Sequence, residues 1–409
     1  MTSADTGTRV RIFYPADPAG TIPGGVDTFI RGILRWAPED IEISLVGVTT
    51  DPASRPVGVW TECDLGRRRF RFFPVALLPD ATRQSRVPLS LRFTVGMLRY
   101  WWTIRRGFDV MEFHRIEPAM LFQWDRRGKN AFFHQNMQVL RNASADIRWK
   151  YLPRLYFWLE DWILPRFGSV FCVKQDAVVA YRERYPANAS RFNFIPTWMD
   201  PEVFFPGTPG SRQATRSRLA EEFVIPPSAT LIVTVGRLDL QKDPQLLVRA
   251  FAAVAATRPE VRLMFIGDGV LRTEIEALVA ELGLRDKVVL AGLKPVHEVA
   301  NLLRASDLFA LSSAYEGMPM SLLEALGCGI PAVSTNVGEV ARLIFPGRNG
   351  EIAGARTVDS FAGALTSCLD KRQDYRGRPC TEVARGFVPE SVLVPVFACY
   401  RSLARAFSA

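Results

Sequence analysis

Short apolar runs of strand length alternate with segments of helical periodicity along the whole chain, and this alternation is typical of α/β proteins with parallel sheets. The alternation comes in two series, separated by a segment rich in proline. The predicted strands of the first series are 10–14, 41–48, 69–73, 109–113, 130–134, 169–173 and 192–195, and those of the second are 230–235, 262–266, 287–290, 307–311 and 331–334. Helical patterns follow the strands, for example at 27–34, 243–255 and 271–282. The fold class is therefore predicted to be α/β with two sheets.

The segment 197–228 separates the two series and contains five prolines. We interpret it as an interdomain connection with a short helix inside. The length of 409 residues suits two or three domains. We predict two Rossmann-like doubly wound domains, 1–204 and 205–387, with a cleft between them at the carboxyl ends of both sheets. Residues 388–409 are helical in pattern and are predicted to pack back on the first domain.

The net charge of +9 is concentrated in the first half, because residues 1–204 hold 28 Lys+Arg and 21 Asp+Glu as well as all nine tryptophans. A basic, Trp-rich first half would suit binding to anionic lipid, an anionic acceptor or nucleic acid. Equally, the chain could be a basic protein with a Trp-rich core. Motifs that contact nucleic-acid bases are missing, so we expect no nucleic-acid partner. With 48% hydrophobic residues, disorder is excluded for most of the chain.

Cysteine and histidine usage argues against a metal or redox site. The six cysteines are scattered without a C-x-x-C pair, and the chain has three histidines. We expect no metal and no cofactor. The first 25 residues lack the apolar core of a signal peptide, and no run reaches the ~18 apolar residues of a membrane span. The expected location is cytoplasmic, with peripheral contact at the inner face of the plasma membrane.

Two loops could hold phosphate. Gly24-Gly25 follows the first predicted strand and precedes a helical pattern, so its N–H groups could bind an anion, although a tight turn explains it equally well. Gly236-Arg237 and Lys242 follow the first strand of the second series. Arg and Lys on one such loop suit a diphosphate, or they pair with the neighbouring aspartates in a solvated turn.

A third segment, 312–325, places two glutamates around a predicted helix start. Glu316 lies before the helix and Glu324 within it. The N–H groups between them would offer an anion site at the positive helix end, with carboxylates to accept from sugar hydroxyls. From these residues alone, a capping glutamate and a surface ion pair are the simpler reading.

Taken in order, these segments resemble the retaining glycosyltransferases of family 4, which have the GT-B fold. The elements are Gly24-Gly25, Phe132-Phe133-His134, Gly236-Arg237 with Lys242, Phe265-Ile266-Gly267-Asp268-Gly269, Leu290-Ala291-Gly292, and Glu316 with Glu324. The resemblance covers most of the chain and is densest from 234 to 350. Each element alone is unspecific, whereas the ordered set is specific.

The resemblance implies a role for each matched residue. Arg237 and Lys242 would hold the diphosphate of a UDP- or GDP-sugar, and Gly236 and Gly267 would also belong to the donor-binding residues. Glu324 would accept from the ribose, and Glu316 would face the transferred sugar. Main-chain groups of Leu293 and Lys294 would contact the base, and those of Gly317, Met318, Pro319, Met320 and Ser321 the sugar and phosphate. Gly24 and Gly25 would meet the phosphate, and His134 the reacting sugar.

Two departures from the family pattern affect this region. Pro319 stands where many members have glycine and removes one N–H from the binding turn. Thr197-Trp198 replaces an Asn-Gly pair. Neither change removes a charged group. His134 alone would suit a buried structural histidine, and His114 suits either an acceptor contact or loop structure.

The resemblance predicts a hexosyltransferase that moves a sugar to a glycolipid or polysaccharide precursor with retention and without a metal. Alternatives are a nucleotide-sugar-binding scaffold without activity and a GT-B epimerase; no motif supports a pyridoxal-phosphate phosphorylase. Two segments bear on membrane contact. The basic aromatic segment 93–106 suits either a membrane surface or the core, whereas 154–164 is predicted to be a core helix because it contains Glu160 and Asp161.

Overall fold

The computed structural model describes residues 7–19, 25–66, 68–78, 89–133 and 153–408. The chain divides into two compact units, Met1–Ile195 with Val392–Ala409, and Pro196–Ser391. The first boundary therefore precedes the expected 204/205, because Met199 and Phe204 belong to the core of the second unit. The Met199 N–H also donates to the Phe387 carbonyl in that unit. The second boundary follows the expected 387/388 by a few residues.

The first unit is built on an eight-stranded sheet of order β3-β4-β2-β1-β5-β6-β7-β8. Its strands are β1 Thr8–Phe13, β2 Ile41–Thr49, β3 Thr61–Leu65, β4 Arg68–Leu77, β5 Val110–Phe113, β6 Gly128–Phe133, β7 Ser169–Cys172 and β8 Phe192–Phe194. All pairs are parallel except β3 with β4. The seven predicted strands are present, and β3 is an additional edge strand. The strand order reverses between β1 and β5, where such sheets bind ligands.

Helices cover this sheet. They are α1 Gly25–Trp36, α2 Leu89–Arg99, α3 Trp101–Ile104, α4 Ile116–Ala119, α5 Pro153–Ile163 and α6 Gln175–Arg184, with 3-10 turns at Met120–Phe122, Leu164–Arg166 and Pro186–Arg191. Aromatic rings fill the core: Phe13 stacks on Phe113 at a centroid distance of 5.3 Å, and both rings contact Phe122. The helix α2 sits close on the sheet at Gly96, where a Cβ would lie 2.4 Å from the Val75 carbonyl oxygen.

The second unit contains a six-stranded parallel sheet of order β11-β10-β9-β12-β13-β14. Its strands are β9 Thr230–Val235, β10 Val261–Ile266, β11 Val288–Leu290, β12 Leu308–Leu311, β13 Ala332–Thr335 and β14 Gly350–Ala353. The first five match the predicted series, and β14 is an addition. Counted in chain order, the strands of this sheet are arranged third, second, first, fourth, fifth and sixth, which is the Rossmann order. The order reverses between β9 and β12.

Helices lie on both faces of this sheet, because two separate apolar clusters pack against it. They are α7 Pro209–Phe223, α8 Pro244–Thr257, α9 Arg272–Glu281, α10 Val296–Ala305, α11 Met320–Gly327, α12 Val358–Asp370, α13 Arg372–Tyr375, α14 Arg378–Arg385 and α15 Pro389–Val392, with a 3-10 turn at Val340–Arg342. The helix α7 is the one expected inside the connecting segment. Its N-cap is Thr208, whose hydroxyl accepts from the Ser211 N–H.

The last helix, α16 Val394–Ser408, belongs to the first unit and contacts β6, β1 and β5. By length and composition alone, the stretch Arg372–Phe407 would qualify as one membrane-spanning helix, because an 18-residue window within it has a mean hydropathy of 1.3. The structure divides this stretch into α13, α14, α15 and α16. Core helices pass the same test of length and composition, so the stretch is no evidence for a membrane span.

Candidate functional site

The loop after β9 presents Arg237 and Lys242 at the carboxyl edge of the second sheet. Arg237 is exposed, and its guanidinium lies 3.0 Å from the Asp239 carboxylate. The Lys242 N–H donates to Asp239, which fixes the turn, and its ammonium reaches into the neighbouring loop. Asp243 then caps α8 by accepting from the Leu246 N–H. The Arg237 side chain is therefore open to solvent, whereas the Lys242 side chain points to the neighbouring loop.

Glu316 is the inward partner of Lys242. It lies in the loop after β12, is 7% exposed, and accepts from the Lys242 Nζ at 2.6 Å and from the Ser313 hydroxyl at 2.7 Å. The strands β9 and β12 are neighbours at the point where the strand order reverses. The fold thus brings together two residues that are 74 positions apart in the sequence. Ser313, which sequence reasoning did not single out, completes the cluster.

The helix α11 begins at Met320, directly after Pro319, which occupies the N-cap position without a side-chain hydrogen bond. The first N–H groups of a helix have no acceptor within it, so those of Met320 and Ser321 form the positive end of α11. Glu324 lies one turn further on and is partly buried. Burial raises the pKa of its carboxyl to about 7, although the nearby Lys242 charge acts in the opposite direction.

The loop after β13 supports the loop that contains Glu316. Thr335 at the end of β13 donates to the Ser313 carbonyl, and the Glu339 N–H donates to the Gly317 carbonyl. Gly338 has a φ of 54°, and a Cβ there would lie 2.1 Å from the Gly317 oxygen. Sequence reasoning missed these supporting residues. The Asn-Val-Gly turn after the last predicted strand was the available signal.

The glycines after β10 support the cation loop. Gly267 has a φ of 135°, and a Cβ there would lie 2.0 Å from the Gly236 oxygen. A Cβ at Gly269 would lie 2.4 Å from the Leu238 oxygen, and the Leu238 N–H donates to the Asp268 carbonyl. The backbones of the two loops are therefore in direct contact. Only glycine fits at 267, so the contact supplies a structural reason for the Gly-Asp-Gly sequence.

Leu293 and Lys294, the residues predicted to contact the base, follow β11. The Leu293 side chain is exposed, and the Lys294 ammonium lies 3.0 Å from Glu222 and over the Phe223 ring. Gly292 precedes them, and its carbonyl accepts from the Gly267 N–H at 2.9 Å. The three loops after β9, β10 and β11 are thus linked by backbone contacts.

In the first unit, Gly25 is the first residue of α1, with Asp27 in the first turn. Gly24 and His134 lie outside the described residues. His134 comes directly after Phe133, the last residue of β6. The positions of these two residues therefore stay predictions.

His114 follows β5 and its side chain is fully buried. The imidazole Nε2 lies 2.7 Å from the carboxyl of Glu112, which is itself buried. Burial lowers the pKa of His114 to about 3 and raises the pKa of Glu112 well above its usual value. Both side chains are therefore held in their uncharged forms. The burial of His114 favours a role in loop structure over a contact with the acceptor.

The described part of the chain contains no group of three His, Cys, Asp or Glu residues arranged to hold an ion.

Comparisons with known proteins agree with this architecture. The family model described as glycosyl transferases group 1 matches residues 215–379. A D-inositol 3-phosphate glycosyltransferase from Mycolicibacterium smegmatis is 30% identical over 384 residues, which are 91% of this chain and 85% of the relative. The UDP-Gal:alpha-D-GlcNAc-diphosphoundecaprenol alpha-1,3-galactosyltransferase of Escherichia coli is 26% identical over 56% of this chain and 58% of its own length.

Among solved structures, the sucrose-phosphate synthase of Thermosynechococcus elongatus superposes with a TM-score of 0.75 at 19% identity, over 98% of this chain and 100% of that structure. At this identity the likeness shows the fold, which is GT-B. The identity to the mycobacterial relative extends over most of both chains. The chain therefore belongs to the group 1 glycosyltransferases, enzymes that transfer hexosyl groups.

Proposed function

We propose that the chain transfers a sugar from a nucleoside-diphosphate sugar to a glycolipid or polysaccharide precursor, with retention of configuration and without a metal ion. The observation that supports it most is the cluster of Lys242, Glu316 and the α11 N-terminus at the strand-order reversal of the second unit. Acceptor identity is suggested by the Escherichia coli relative, whose name describes a sugar-diphosphate lipid.

The charges of this cluster suit the leaving group. Transfer breaks the bond between the sugar C1 and the diphosphate oxygen, so negative charge grows on the diphosphate. Arg237 is exposed, and the positive end of α11 faces the same edge of the sheet. Lys242 is paired with Glu316 and would turn to the diphosphate when the donor binds. Glu316 would then be free to accept from a hydroxyl of the transferred sugar.

In the proposed reaction the acceptor oxygen forms the new bond to C1 on the face from which the diphosphate leaves, and the acceptor proton passes to the departing phosphate. No side chain acts as nucleophile. Arg237, Lys242 and the N–H groups of α11 supply the charge stabilisation that a metal ion would otherwise provide. The roles of Gly24, Gly25, His134, Leu293 and Lys294 in this scheme are predictions from the family.

A binding screen tests the proposal. Thermal unfolding is measured with UDP, GDP, ADP and their common sugar conjugates, with and without EDTA. A ligand that binds the native state raises the unfolding temperature, so one nucleotide should stabilise the chain and EDTA should leave the shift unchanged. The stabilising sugar conjugate is then incubated with lipid-linked acceptors, and NMR of the product reports the anomeric configuration. An inverted product, or a shift abolished by EDTA, contradicts the proposal.

We also propose that the first unit contacts an anionic membrane through α2 and α3. Four apolar side chains form one exposed stripe along these helices: Leu91, Val95, Leu98 and Trp102. Val95 is 57% and Trp102 is 67% exposed, while Phe93, Met97 and Ile104 face the core. Residues 89–108 contain four arginines and no acidic residue, so the charge on these helices complements anionic lipid.

The segment 154–164 also exposes apolar side chains. It forms α5, which buries Leu159, Glu160 and Ile163, as predicted for a core helix, but exposes Leu155 and Trp158. Trp158 stacks on Trp162, which also contacts the exposed Trp124. The helix α4 contacts both α2 and α5, so the exposed apolar groups belong to one helical layer.

Vesicle co-sedimentation tests the membrane contact. The chain should bind vesicles with anionic lipid and not neutral ones, and Leu98→Ser/Trp102→Ser should reduce binding by about tenfold or more. Val270→Ser is the matched control, because Val270 is equally apolar and 85% exposed but belongs to the second unit. Equal binding by both variants would show that α2 and α3 are not the contact.

A further inference from the structure

We infer a second anion-binding site in the second unit, at the edge of the sheet opposite the donor loops. A groove of about 720 Å³ opens between the first turn of α7, the start of β9 and α13. Arg212, Arg216 and Arg372 line it, together with Gln213, Ser228 and Gln373. We propose that it binds a small molecule that carries a phosphate group. This site is independent of the proposed transfer reaction.

The location separates the groove from the candidate donor site. The groove lies at Thr230, where β9 begins, whereas the loop with Arg237 and Lys242 follows the other end of β9 at Val235. A six-residue strand spans about 20 Å. A ligand in the groove therefore does not occupy the donor loops.

The charges in and around the groove are unbalanced. Asp307 is the carboxylate among the lining residues, and it is already bonded to Arg212, Arg216 and the Leu231 N–H. Arg376 lies beside them, bonded to the carbonyls of Ser306 and Arg304. Its pKa is lowered to about 10 by burial and by the charge of Arg212. Four guanidinium groups thus lie in or beside the groove against one lining carboxylate, and an anion would relieve their repulsion.

The hydrogen-bond donors in the groove are incompletely used. Arg216 donates to the Ala305 and Ala229 carbonyls and to Asp307, so its role is structural. Arg372, in contrast, donates to the Leu369 carbonyl, and its buried Nε has no hydrogen-bond partner. A buried donor without a partner is destabilising. A phosphate oxygen is a suitable acceptor because guanidinium groups bind phosphate with two parallel bonds.

The shape and polarity of the groove define the ligand class. Its volume falls within the range of small-molecule sites, roughly 300–1,000 Å³, and exceeds what one phosphate fills. Gln213, Ser228 and Gln373 offer donors and acceptors for hydroxyl groups beside the arginines. The positive end of the 15-residue helix α7 lies at the same place. A phosphorylated sugar or polyol fits this combination better than an apolar ligand.

The test uses a background in which the donor site is disabled, Arg237→Gln/Lys242→Gln, so that phosphate binding there does not interfere. Thermal unfolding is followed with inorganic phosphate, pyrophosphate, glucose 6-phosphate and glucose at constant ionic strength. We expect phosphate compounds, but not glucose, to raise the unfolding temperature of this background. Stronger stabilisation by glucose 6-phosphate than by inorganic phosphate identifies a phosphorylated metabolite rather than the free ion as the ligand.

Substitutions in the groove decide the assignment. In the same background, Arg212→Gln/Arg372→Gln should weaken the apparent affinity at least tenfold. Arg218→Gln should not, because Arg218 lies on the same helix but pairs with Glu298 outside the groove. If the double substitution unfolds the chain, Arg372→Gln alone is used, since Arg372 donates to a single carbonyl. No phosphate-dependent shift in the background, or an equal shift in the groove variant, overturns the proposal.

Discussion

At the scale of single residues, the Lys242–Glu316 pair joins stability to the proposed chemistry. Glu316 is buried and accepts from Lys242 and Ser313. Removing the cation leaves a buried carboxylate with one donor, which is more costly than removing both charges. The pair therefore stabilises the unliganded fold, and the proposed transfer gives Lys242 a second, separable role at the diphosphate.

We predict that Lys242→Gln reduces transfer about 100- to 1,000-fold, because a preorganised positive charge is lost from the leaving group. It should also lower the unfolding temperature. Lys242→Gln/Glu316→Gln should recover much of the stability and none of the activity. Arg258→Gln is the control for loss of one cation from a more exposed ion pair. Initial rates and thermal unfolding measure both effects, and near-wild-type transfer by Lys242→Gln would refute the assignment.

The raised pKa of Glu324 leads to a prediction of how the stability of the chain depends on pH. Burial raises the pKa of its carboxyl in the folded chain to about 7, while an unfolded glutamate titrates near 4.5. Between these values the folded state binds more protons, so the contribution of Glu324 to stability falls as the pH rises through this window and stays unfavourable above it. Glu324→Gln should therefore match the wild type at pH 4.5 and be more stable by about 1–3 kcal/mol at pH 8.

The family resemblance predicts that Glu324 accepts from the ribose hydroxyls, and a carboxylate accepts more strongly than a protonated carboxyl group. Nucleotide affinity of the wild type should consequently increase as the pH rises through about 7, and Glu324→Gln should lose this dependence. Thermal unfolding and titration calorimetry at pH 5, 7 and 8 measure the two effects. A Glu324→Gln variant that is less stable than the wild type at pH 8 would show that the carboxylate stabilises the fold instead.

At the scale of secondary-structure elements, contact between loop backbones shapes the site. Gly267 after β10 touches Gly236 after β9, and a Cβ at 267 would lie 2.0 Å from the Gly236 oxygen. Backbone atoms cannot yield as flexible side chains do. Any substitution at 267 must therefore displace the loop that carries Arg237 and Lys242.

We predict that Gly267→Ala lowers nucleotide affinity at least tenfold and destabilises the second unit by about 1–3 kcal/mol, through strain at a positive φ and displacement of the cation loop. Gly363→Ala is the matched control. Gly363 lies inside α12, where an added Cβ would meet no atom within 4 Å, and alanine favours a helix by about 1 kcal/mol over glycine. Calorimetric titration with the stabilising nucleotide tests this, and unchanged affinity in Gly267→Ala would contradict it.

Much of the element order follows from sequence periodicity, and some of it does not. Twelve predicted strands are found because each is an apolar run of strand length. The strand β3 escaped prediction because its residues alternate between partly and fully exposed positions at the sheet edge, without an apolar run. The strand β14 is four residues long and begins with glycine. For the site, the resemblance of the ordered motifs to the family singled out the charged residues, because their spacing alone left other interpretations open. Ser313 and Gly338 act through contacts between loops that local pattern does not encode.

At the scale of the whole molecule, the chain ends in the unit where it begins. Helix α16 belongs to the first unit, and its Tyr400 hydroxyl donates to the buried Glu112 on β5. Glu112 also contacts His114, so the last helix completes a buried polar cluster at the centre of the first sheet. A second, exposed link joins Arg401 to Asp40 at 2.6 Å. Two neighbouring residues thus tie the last helix to the first unit, Tyr400 by a buried hydrogen bond and Arg401 by an exposed ion pair.

This difference predicts unequal effects of two adjacent substitutions. Tyr400→Phe keeps the volume but removes the hydroxyl donor from one buried oxygen of Glu112, so it should destabilise the first unit by about 1–3 kcal/mol. Arg401→Gln removes a solvent-exposed ion pair and should change stability by less than about 1 kcal/mol. Hydrogen exchange resolves the units, and lowered protection in Tyr400→Phe should be confined to strands β1 to β8. Equal protection in both variants would mean that Glu112 finds another donor, and lowered protection of β9 to β14 would mean that the last helix stabilises the second unit as well.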